Sequence, residues 1–210
     1  GMSSIARLLG DSLEVEIGVR VERLGRAGGR WALHCSDGVE RSADLVVLAL
    51  PAPQAGTLLA GTGSPLEAAA HRVEMAPTWA GMIAFEKPLD LPLDSARISG
   101  GGLAWVARNN SKPGRPRDPD TWILHASTPW SEAHLQDAPE SVVEELLATF
   151  MEVAGLEAPP VFYSTAHLWR YARSILPDID GAWLDDPRGL GVCGDWLLGD
   201  DLESAFLSGR

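Results

Sequence analysis

Apolar positions change their spacing along the chain, and each change marks an expected element. Ile5, Leu8 and Leu9 recur at helical spacing behind Ser3 and Ser4, which predicts a short helix stopped by Gly10. Val15 and Ile17, then Val19, Val21 and Leu24, are interleaved with charged residues in the manner of a half-buried strand. A Gly28-Gly29 turn leads to a strand at 31–35, and Ser36-Asp37-Gly38 leads to a further short strand, so this part reads as a β-meander. The continuous apolar run at 44–50 predicts a fully buried parallel strand closed by Pro51. Short helices are expected at 51–60 and 66–72, and strands at 78–85, 103–107, 121–126 and 159–169. The clearest helix carries Val142, Val143, Leu146, Leu147 and Phe150 on one stripe, with Gly155 as its stop. The polar segment at 109–120, rich in Pro, Gly and Arg, reads as a surface loop because patterned sequence resumes at once. The chain closes with a short strand at 190–193, a Gly194-Asp195 turn, a loop and the first turn of a helix near Glu203.

That closing stretch has the layout of a ligand crevice in an open α/β sheet, where a strand's carboxyl end and a helix N-terminus meet. Gly189, Gly191 and Gly194 also spell a G-x-G-x-x-G, but they lie in the strand and no helix opens directly from them. The more informative pair is Gly194 and Asp195. By residue type alone, Asp195 is an ordinary turn aspartate.

Composition narrows the function. The chain has 210 residues and a net charge of −12, which argues against a nucleic-acid partner, since that binding needs clustered Lys and Arg. Two cysteines without a C-x-x-C suit a reducing cytosol, and Cys193 reads as a small apolar residue. No apolar stretch is long enough for a membrane span and no signal peptide is evident, so a cytoplasmic location is expected. The five histidines lack metal-ligand spacing, and Asp178, Asp180 and Gly181 resemble a calcium loop without its later acidic ligands, so no metal is expected. No nucleophile elbow is present.

Taken in order, the meander ending Leu48-Ala49-Leu50-Pro51, the segment at 105–115, the Trp169-Arg170-Tyr171-Ala172 element and the terminal Gly194-Asp195 resemble the FAD-dependent amine oxidase superfamily, and within it the bacterial renalase-like branch. The similarity runs over essentially the whole chain. It implies an α/β fold: a Rossmann-like FAD-binding domain at 1–75 and 187–210, with an α+β substrate domain inserted at 76–186. The family's opening strand, glycine-rich turn and helix have no counterpart here, so the FAD/NAD(P)-binding fold is expected to be partial.

The resemblance also implies roles. Val21 matches a position beside the adenine, and Ala49 and Pro51 match a turn close to the dinucleotide. Gly194 and Asp195 match the late flavin motif. Leu202, Glu203 and Ser204 match the helix start whose backbone N–H groups approach the flavin ring, and Trp169 and Tyr171 match the aromatic wall of the substrate pocket. Trp105 and Trp196 are further aromatics for a flat ring, against plain core packing for Trp31 and Trp122. The implied activity is hydride transfer from a dihydronicotinamide dinucleotide isomer, or from an amine, to FAD, with reoxidation by oxygen. Arg108, Lys112 and their loop either bind an anionic substrate or form a solvated charge run. The alternative function is a non-catalytic binding module that kept the scaffold without a complete cofactor site.

Overall fold

The computed structural model describes residues 3–175 and 181–210. Its elements, in chain order, are α1 (Ser3–Gly10), β1 (Val21–Ala27), β2 (Arg30–Cys35), β3 (Glu40–Ala43), β4 (Val46–Leu48), α2 (Ala52–Leu59), α3 (Pro65–His71), β5 (Met75–Phe85), β6 (Ser95–Arg97), β7 (Leu103–Arg108), β8 (Asp120–Ala126), α4 (Thr128–Ala133), α5 (Pro139–Ala154), β9 (Val161–Ser174), β10 (Trp183–Asp185), β11 (Leu190–Val192) and α6 (Leu202–Ser208). The mixture of helix and strand is the expected α/β fold. The chain divides into two compact units, Ser12–Met75 with Tyr171–Arg210, and Gly1–Asp11 with Ala76–Arg170. The breaks fall at 11/12, 75/76 and 170/171, so α1 goes with the second unit and not with 12–75, and the last break precedes 186/187 because β10 pairs with β11 and carries its segment into the first unit.

The first unit begins with the meander β1-β2-β3. Ala27 pairs with Arg30 across Gly28 and Gly29, whose φ values of 57° and 82° make the two-residue turn that favours glycine. Strand pairing starts only at Val21. Val15 and Ile17 stay exposed, and Glu16 instead pairs with Arg41 at 2.6 Å, so alternation without a partner strand does not make a strand there. A second sheet has the order β10-β11-β4, with β4 and β11 parallel and Val192 beside Leu48. Here β4 is an edge strand: Val46 and Leu48 are buried, whereas Leu45 and Val47 are exposed, so the run is half-buried and not fully buried. Leu24, Trp31, Leu59, Leu190, Trp196 and Leu197 anchor this unit's core. The Trp31 indole N–H donates to the Arg188 carbonyl (2.8 Å), tying the meander to the β10–β11 turn. Where the chain leaves this unit and returns, the Ile175 N–H donates to the Glu74 carbonyl (3.0 Å).

In the second unit a five-stranded sheet runs in the order β6-β7-β8-β5-β9. On β8 burial alternates strictly, with Trp122 and Leu124 turned to the core. They pack with Val142, Leu146 and Phe150 of α5, and Trp122 meets Phe150 at 5.1 Å between ring centroids. Gly155 takes φ 65° and ends α5 as a left-handed cap. The helix α1 forms at the expected place, with Ile5, Leu8 and Leu9 exposed.

Candidate functional site

The first unit gathers several expected residues at one end of its parallel strand pair. The Cys193 N–H donates to the Leu48 carbonyl (3.1 Å), and the Trp196 indole N–H donates to the Leu50 carbonyl (3.0 Å). The turn at Ala49 and Pro51 therefore lies beside Gly194 and Asp195 at the carboxyl ends of β4 and β11, the position where open α/β sheets hold ligands. Along the other side of β4 runs a cleft of ≈ 910 Å³, lined by Val21 and Ala49 together with Leu33, Val47, Leu50 and Leu58. Val46 and Leu48 direct their backbone groups to β11, so those of Val47 face the free edge.

Asp195 is half-buried. Burial, with Asp200 and Asp201 nearby, pushes its carboxyl above the ordinary aspartate value, against the Trp196 N–H that it accepts at 2.9 Å. It enters no ion pair among the described residues, whereas Asp200 is held by Arg173 at 2.9 Å. Gly194 has a packing reason to be glycine: an added Cβ would meet the Trp196 indole nitrogen at 2.5 Å. Gly189 has another, with φ 64° and a would-be Cβ 2.9 Å from the Asp44 carbonyl. The literal G-x-G-x-x-G is thus read out as strand and turn packing. Trp196 itself is buried in the core and does not offer a face to a ligand. Burial raises the Cys193 thiol as well, which disfavours its thiolate.

The helix α6 runs through Ser208, two turns where one was expected. Its N-cap, Asp201, accepts the Ser204 N–H at 2.7 Å and is held below the ordinary aspartate value by the Ser204 and Glu203 backbone. The Gly194 N–H is likewise engaged, donating to the Ser208 hydroxyl (2.9 Å). Leu202 and Glu203 are exposed at the same helix start. Asp201, which sequence reasoning missed, was findable as an N-cap three residues ahead of Ser204.

Trp169 and Tyr171 are both on β9 and exposed, at 58% and 39%. Ala166 and Leu168 pack on the core of the second unit, so alternation turns His167 and Trp169 to the opposite face of that sheet, their rings 4.8 Å apart edge to face. Tyr171 belongs to the first unit. The 108–117 loop divides in two. Arg108 is turned inward, donating to the Leu89 (2.7 Å) and Leu91 (3.2 Å) carbonyls, pairing with Asp120 at 3.2 Å and lying over Trp122, so it is a clamp and not a substrate cation. Arg115 and Arg117 remain exposed. No cluster among the described residues is built to hold a metal ion, and no helix among them is long and apolar enough to cross a membrane. The calcium-loop resemblance at 178–180 lies outside the described residues.

Comparison with known proteins adds a family and a fold. Residues 1–190 match the profile of the family described as flavin containing amine oxidoreductase. A putative protoporphyrinogen oxidase from Exiguobacterium sp. 255-15 is similar in structure, with a TM-score of 0.69 at 16% identity over 92% of this chain and 46% of its own. An oxidoreductase from Methanosarcina mazei is similar with a TM-score of 0.65 at 19% identity, over 91% of this chain and 47% of its own. The chain thus spans about half the length of these structures.

Proposed function

We propose, for a chain that belongs to the flavin containing amine oxidoreductase family, that the crevice at the ends of β4 and β11 is the late half of an FAD site in a flavin-dependent oxidoreductase. The observation that carries this reading is the parallel pairing of β4 with β11, which brings Ala49, Pro51, Gly194 and Asp195 to the carboxyl ends of the two strands, with Ala49 also lining the apolar cleft. The residues present fit the group. Apolar walls at Val21, Leu33 and Leu58 suit a planar ring system, and Asp195, without a cationic partner among the described residues, suits ribityl hydroxyl donors. A flavin held by Asp195 and the cleft residues would supply a two-electron acceptor for a reduced substrate, with dioxygen as the final oxidant.

The chain's own residues bind and orient. Asp195 accepts from the cofactor and Val21 and Ala49 line its cleft, while Trp169 and Tyr171 are the exposed aromatics of β9 that the family resemblance assigns to the substrate. For Glu203 and Ser204 to offer their N–H groups to the flavin ring, the Asp201 carboxylate must release them. The substrate of this renalase-like reading is a dihydronicotinamide dinucleotide isomer, with amines as the alternative. One observation favours the rival reading of a non-catalytic binding module: the Gly194 and Ser204 amides are already satisfied within the chain.

Reconstitution separates the two. The longest polypeptide that the gene encodes is incubated with FAD and gel-filtered. Retained flavin absorbance, with affinity falling about 10- to 100-fold in Asp195→Ala as loss of a charge-assisted hydrogen bond requires, supports the oxidoreductase. A colourless protein supports the binding module, and unchanged affinity in the variant removes Asp195 from the site.

A further inference from the structure

The loop that joins β11 to α6 is folded on its own backbone. The Leu198 and Gly199 N–H groups donate to the Asp195 carbonyl (2.9 and 2.7 Å), and the Asp201 carboxylate caps the helix. A Cβ on Gly199 would meet the Ser204 hydroxyl at 2.6 Å, so the loop lies tight against the first turn of α6. Asp200, beside that turn, is held from another element: Arg173 on β9 pairs with it at 2.9 Å.

Alternation on β9 decides what accompanies Arg173. Ala172 is half-buried and Ser174 buried, whereas Tyr171 and Arg173 are exposed, so Tyr171 and Arg173 share one face of the strand. Positions two apart on a strand are about 6.6 Å from each other. The Arg173–Asp200 pair therefore ties the face of β9 that carries Tyr171 to the loop that starts at Asp195, and all four residues belong to the first unit.

The same pair acts on charge. The loop and the helix start carry four acidic groups, Asp195, Asp200, Asp201 and Glu203, and among the described residues Arg173 is the only cation in an ion pair with any of them. Asp200 and Asp201 add to the burial that pushes the Asp195 carboxyl above its ordinary value. Asp201 is committed to its cap, which leaves Asp200 as the neighbour whose charge is offset from outside the loop. The Arg173 and Asp200 side chains are 54% and 48% exposed, so the effect is the modest one of a solvent-screened pair.

We propose that Arg173 is a positioning residue of the crevice, acting through Asp200 to hold the 195–201 loop to β9 and to offset the acidic charge around Asp195. The role rests on the reading of that crevice as a flavin site, and it adds a link between the cofactor loop and the strand that carries Tyr171. With Asp200 neutralised, Asp195 ionises more readily and serves as an acceptor for hydroxyl donors.

The test follows the Asp195 carboxyl through a pH titration by carbon NMR, in the longest polypeptide that the gene encodes and without flavin. Its signal is assigned by its loss in Asp195→Asn. Arg173→Gln moves the titration midpoint up by roughly half a pH unit, the size of an exposed ion pair. Asp200→Asn moves it down, the two substitutions together bring it back close to wild type, and Arg173→Lys stays close to wild type because the charge remains. A pair that only braced the fold would not give the two single variants opposite signs. Both side chains are half exposed, so neither substitution empties the core. With FAD added, Arg173→Gln lowers the affinity about two- to fivefold. A midpoint that Arg173→Gln leaves in place, or that both single variants move the same way, overturns the proposal. Opposite movements in a protein that takes up no FAD remove the flavin reading and keep the coupling of Arg173 to Asp195; FAD uptake with an unmoved midpoint does the reverse.

Discussion

Asp195 shows how a single side chain is held at some cost to the folded state. Burial and two neighbouring aspartates raise its carboxyl, so folding favours its protonated form. A raised value stabilises fully below the unfolded pKa of 3.8 and loses that contribution as pH rises through the folded value. At neutral pH the ionised group is therefore a burden, and Asp195→Asn is expected to raise the melting temperature. With solvent screening the gain is no more than about 1 kcal/mol, or roughly 2–4 °C for a chain of this size. Scanning calorimetry at pH 7 and again near pH 3.5 checks the sign: the gain shrinks at the lower pH. At this scale the sequence disclosed residue types but not their partners. Nothing in the order of residues showed that Arg108 is consumed by two carbonyls and Asp120, or that Trp196 is buried beneath Gly194, because those facts depend on contacts distant in the chain.

Elements were legible wherever local pattern and tertiary burial agree. The helix α5 has an apolar stripe that meets the sheet, and its stop at Gly155 follows from the left-handed φ. Gly155→Ala is expected to destabilise by about 1–2 kcal/mol, the cost of a Cβ in that conformation, seen as a lower urea midpoint with an unchanged m-value. Val15 and Ile17 misled because alternation is a statement about one chain while a strand needs two. The run at 44–50 misled in the opposite way: apolar residues on both sides of a strand describe burial in a sheet with neighbours on each side, and among the described residues β4 pairs with β11 alone.

At the scale of the molecule, β4 leaves one sheet edge unpaired among the described residues. An edge strand with free backbone groups and an exposed Val47 is a template for pairing with another chain. Val47→Lys is expected to lower self-association, read by light scattering across a concentration series, while leaving the melting temperature within about 1 °C, because Val47 is not part of the core. Scattering that does not change would show that association, if any, uses another surface. The connection between the two units has a further consequence. The chain leaves the first unit near Glu74 and returns at Ile175, and those two residues are joined by one backbone hydrogen bond. The segment that emerges at Ala76 and comes back at Arg170 thus has its two ends held close together, while α1 joins the same unit from the start of the chain. An engineer grafting one such insert onto another therefore has the short span between Glu74 and Ile175 to match, and has to carry α1 along with the insert.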